Sequence, residues 1–135
     1  MFTASQLRSF LNPTTRTQYF TDDSILSGHY NATNLLDASY TNVSILRQYG
    51  YKPNDLYNVY SDNDILQGGF SVLDLRTPIG SFRGYNLYTI KNITQYTPDK
   101  FLLNNACTLE EIVLIFSSIE LQNMSSIIGY NFFSK

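Results

Sequence analysis

The chain has 135 residues, 43% of them hydrophobic, which suits one domain with a sizeable core and argues against both intrinsic disorder and a multidomain enzyme. Nine Lys and Arg against eleven Asp and Glu give a net charge of −2. No block of like charge occurs, so a phosphate-backbone binder, whose affinity comes from clustered cations, is disfavoured.

The opening stretch, residues 1–10, has neither the basic start nor the continuous apolar run of a secretory signal, and nowhere does the sequence approach the ~20 apolar residues that span a bilayer. Cys107 is the single cysteine, so no disulfide framework is expected. The expected location is a virion or a cytoplasmic assembly.

From the N-terminus onward an aromatic residue recurs about every ten positions. Phe20, Tyr30, Tyr40, Tyr51, Tyr60 and Phe70 are each followed five residues later by Ile25, Leu35, Ile45, Leu56, Ile65 and Leu75. These twelve positions are the predicted repeat core. A helix-capping residue follows most of the aromatics: Thr21, Asn31, Thr41, Ser61 and Ser71, with Lys52 the exception. Upstream, Phe2-Thr3 with Leu7 is in register, and Leu11-Asn12 with Arg16 reads as a degenerate copy. Pro13, Pro53 and Pro98 stand directly after presumed caps, where a missing N–H costs nothing.

The pattern predicts a mainly α fold, a solenoid of very short helices. A helix of six or seven residues does not persist alone in water, so each copy has to bury its apolar edge on its neighbours. The alternative is a right-handed pentapeptide-type β-helix, since aromatic and aliphatic positions alternate every five residues. That fold asks for a small residue two before each central Leu or Phe. Asn54, Asn58, Asn63 and Leu73 do not comply.

One repeat domain is expected over 1–135, with an N-terminal array at 1–76. Residues 77–95 carry no repeat in this reading and suggest a hairpin or ordered loop around Gly80 and Gly84. A second short array occupies 96–121, with Tyr96-Thr97 and Phe101, Cys107-Thr108 and Ile112, and Phe116-Ser117 and Leu121. The remaining 122–135 form an apolar tail in which Ile127, Ile128, Tyr130, Phe132 and Phe133 are candidate partner contacts.

The segment Gly69-Phe70-Ser71-Val72-Leu73-Asp74-Leu75 resembles tandem decapeptides of the form Gly-(Tyr/Phe)-(Ser/Thr)-x-x-(Asp/Glu)-Leu, found in giant viruses, some algae and bacteria. Phe2 to Leu7 is similar. Before Tyr30, Tyr40 and Tyr60 the glycine is replaced by His29, Ser39 and Val59. The resemblance implies short helices and, by analogy, a virus particle; it brings no catalytic residue and no ligand.

No catalytic, cofactor or metal site is expected. His29 is the only histidine and falls in a turn position; Cys107 fills an aromatic slot. Asp22-Asp23, Asp62 with Asp64, and Glu110-Glu111 are accounted for by the positive end of a helix. With 15% charged residues, a surface rich in Tyr, Asn, Ser and Thr suits permanent interfaces. The expected function is a non-enzymatic structural or scaffold protein binding other protein subunits, most plausibly a minor capsid or cement component of a large virus. The alternative is a soluble adaptor that binds a peptide or protein reversibly along a solenoid groove.

Overall fold

A polar side chain followed by a short amphipathic run recurs along the chain, and in the computed structural model, which describes residues 2–122, each such run is a helix. The helices are α1 (Ala4–Ser9), α2 (Asp22–Leu26), α3 (Ala32–Asp37), α4 (Val43–Gln48), α5 (Pro53–Leu56), α6 (Asp62–Leu66), α7 (Val72–Arg76), α8 (Leu87–Thr94), α9 (Pro98–Leu102) and α10 (Leu109–Ile115). Helical backbone resumes at 118–122. Two isolated antiparallel bridges, Leu11 with Gln18 and Ile79 with Phe82, are the only β pairing among the described residues, so the β-helix alternative is set aside. The chain divides into two compact units, Met1–Gly69 and Phe70–Lys135, where the sequence suggested one domain with its break after residue 76.

Eight of these ten helices are started by a side-chain cap; at α9 Thr97 makes no such bond. Thr3, Thr21, Asn31, Asn42, Ser61, Ser71, Asn86 and Thr108 accept, through their side chains, the backbone N–H three residues on. At α5 the Lys52 side chain has no acceptor to offer, and the Asp55 carboxylate instead takes the Lys52 N–H at 2.9 Å. The residue four after the cap is the anchor. From Ile25 to Leu121 that position is fully buried in every unit.

Three sequence expectations fail here. In the fourth unit the cap is Asn42, not Thr41, which moves the buried anchor to Leu46, 1% exposed, and leaves Ile45 42% exposed. The one-residue shift turns Val43 and Leu46 inward, and the eleven-residue step from Tyr40 to Tyr51 absorbs it. Residues 77–95 are also more than a loop: a bridge folds Ile79 onto Phe82, and then Tyr85, the cap Asn86 and the buried anchor Ile90 form a complete repeat with the longest helix among the described residues. Conversely, Asn12 starts no helix. Its carboxamide oxygen accepts from the N–H groups of Thr14 and Thr15 to close a turn, because Arg16 supplies no apolar anchor four residues on.

Within each unit, hydroxyls join alternate repeats. In Met1–Gly69 the Tyr30 hydroxyl donates to the Phe2 carbonyl (3.1 Å), Tyr51 to Tyr30 (2.6 Å) and Tyr60 to Tyr40 (2.5 Å). In Phe70–Lys135 the Tyr96 hydroxyl donates to the Phe70 carbonyl (2.8 Å). Each bond runs from a repeat's aromatic to the aromatic two repeats earlier. Burial pushes the Tyr60 hydroxyl up to about 12, the neutral donor being the form that fits. Arginines answer in the opposite direction. Arg8, Arg47 and Arg76, each five after its cap, donate to the carbonyls of Ala38, Gly68 and Ala106 at the far end of the helix two repeats later. These carbonyls sit where a helix leaves acceptors unsatisfied, so a cation there is favoured twice, by hydrogen bond and by dipole.

Between helices the chain reverses through a left-handed residue placed just before the aromatic: His29, Ser39, Gly50, Gly69, Gly84 and Gln95, with φ between 54° and 94°. This explains the glycine of the decapeptide pattern, and His29 and Ser39 adopt the same conformation with a side chain that disfavours it. At Gly84 a Cβ would also stand 2.2 Å from the Arg76 carbonyl oxygen. Chemical denaturation should therefore show His29→Gly gaining about 0.5–1 kcal/mol and Gly84→Ala losing about 2–4 kcal/mol; equal effects at the two sites would contradict the assignment.

Arg76 also grips both oxygens of Glu111, at 3.1 and 2.9 Å, and this hydrogen-bonded pair with the Thr108 N–H holds the Glu111 carboxyl down at about 2. A depressed carboxylate adds stability above its unfolded value near 4.5, and that stability is lost as pH falls toward 2. The pair is about one-third exposed, so the effect is modest. Thermal melts from pH 6 to pH 2 should show wild type and Glu111→Gln converging as the pH falls, with the gap between them open above pH 4.5.

Candidate partner-docking site

The first repeat breaks the rule that every anchor is covered. Its aromatic, Phe2, is 68% exposed, and its anchor Leu7 is only partly buried. Both line an open groove of about 520 Å³ together with Gln6, Phe10, Pro13, Tyr19 and Phe20. The turn closed by Asn12 builds the far wall. The Asn12 N–H donates to the Thr17 carbonyl and the Tyr19 N–H to the Phe10 carbonyl, which brings the two ends of the loop together. Three rings then pack together: Phe10 edge on to Tyr19 at 5.5 Å, Tyr19 edge on to Phe20 at 5.0 Å and Phe10 tilted against Phe20 at 6.0 Å. They support one another without being covered, since Phe10 and Tyr19 are each more than half exposed.

No charged side chain lines the groove, so what it offers is apolar and aromatic surface with the Gln6 amide at its edge. Such a patch takes up hydrophobic side chains.

A polar cluster lies elsewhere in the same unit. The Arg8 guanidinium stacks 4.2 Å over the Tyr40 ring, and the Tyr40 hydroxyl donates to Asp22 Oδ1 at 2.7 Å. Gln18 Nε2 donates to the same oxygen at 3.0 Å, Arg8 Nε is 3.8 Å away, and Tyr49 donates to Asp23 at 2.6 Å. The hydrogen bonds from Gln18 and then Tyr40 hold the Asp22 carboxyl below its usual range, while burial and then Asp22 push Tyr40 up. Oppositely shifted partners that satisfy one another tie the start of α2 to Tyr40, in the segment between α3 and α4.

Most predicted core residues are where the repeat puts them. Ile25, Leu35, Tyr40, Tyr51, Leu56, Tyr60, Ile65, Phe70 and Leu75 are buried, Phe20 and Tyr30 are half-buried, and Ile45 is the exposed exception described above. His29 is exposed with its ring 6.3 Å from Tyr51, and Cys107 is buried with its thiol 3.4 Å from Arg76 Nη1, burial raising its pKa. Among the described residues no cluster of three His, Cys, Asp or Glu could hold a metal ion, and no helix is long and apolar enough to cross a membrane. The predicted contacts Ile127, Ile128, Tyr130, Phe132 and Phe133 lie outside the described residues. Phe10 and Tyr19 were missed because they fall outside the decapeptide register; the signal for them is an aromatic at each end of the Pro- and Thr-rich stretch 11–18. The chain matches no protein-family model, no curated protein and no solved structure.

Proposed function

We propose that this chain is a passive structural connector without enzymatic activity. Its short helices stack two to a turn as a solenoid, and its aromatic groove seats another protein of a larger assembly. The alternate-repeat bonds from Tyr30, Tyr51, Tyr60 and Tyr96 support the solenoid, because a partner two units away along the chain is the next layer of a two-helix coil. The single observation that carries docking is the open first repeat: the pair Phe2 and Leu7 occupies the slots that every later anchor buries. Exposed aromatic rings with two torsions each lose little entropy on contact, which favours a lasting interface. The decapeptide resemblance is the ground for reading that assembly as a virus capsid with this chain as a minor or cement component.

A photo-crosslinking amino acid at position 10 or 19, introduced into the native source and activated before purification, tests the groove. Adducts to a protein partner are expected from these two positions and not from position 63, an exposed residue of α6. Adducts from position 63 alone, or none from 10 and 19, would overturn the reading.

A further inference from the structure

We draw no further inference here: the strongest candidate, the apolar surface patch that Val113 and Leu114 of α10 and Ile119 of the helical turn after it leave exposed, carries nothing because nothing in the structure shows what covers it.

Discussion

A helix of four to eight residues has too few internal hydrogen bonds to outlast its own nucleation cost, and every other feature of this chain answers that constraint. Most helices are closed at their start by a side-chain cap, each is weighted by one anchor four residues later, and several are tied to the helix two places away. The tie uses side chains on backbone: a tyrosine hydroxyl reaching upstream, an arginine reaching downstream. The arginines reach carbonyls at the ends of helices, where acceptors lack an internal partner, while the tyrosines bond the carbonyl just ahead of a cap.

That arrangement accounts for the composition. A tyrosine at the aromatic slot fills space as a phenylalanine does and adds the one donor the upstream carbonyl needs. In the described part of Met1–Gly69 the first slots, Phe2 and Phe20, carry no hydroxyl; from Tyr30 onward the slots are tyrosines, of which Tyr30, Tyr51 and Tyr60 reach a carbonyl two repeats earlier and Tyr40 reaches Asp22. Two of the carboxylates are shared among several donors: Asp22 is held by Gln18, Tyr40 and Arg8, and Glu111 by Arg76 and Thr108.

Capping and anchoring were legible in the sequence because they are local, each set by residues within five positions. Register was legible except where two capping residues stand side by side, as Thr41 and Asn42 do; which one caps depends on whether Ile45 or Leu46 faces the core, and that is decided by neighbouring layers. The repeat at Tyr85, Asn86 and Ile90 was hidden by the fifteen-residue step from Phe70, which the Ile79 to Phe82 turn takes up. Pairing of alternate repeats is nonlocal and left no trace in the ten-residue period. The groove was invisible for a related reason: its walls come from a failed repeat, and the failure at Arg16 is what leaves Phe2 and Leu7 uncovered.

The most direct test of alternate-repeat stacking is a nuclear Overhauser spectrum of protein with labelled tyrosine rings. Cross-peaks are predicted from the Tyr51 ring to residues at 30–31 and from the Tyr60 ring to residues at 40–41. Ring contacts confined to immediately adjacent repeats would contradict the account.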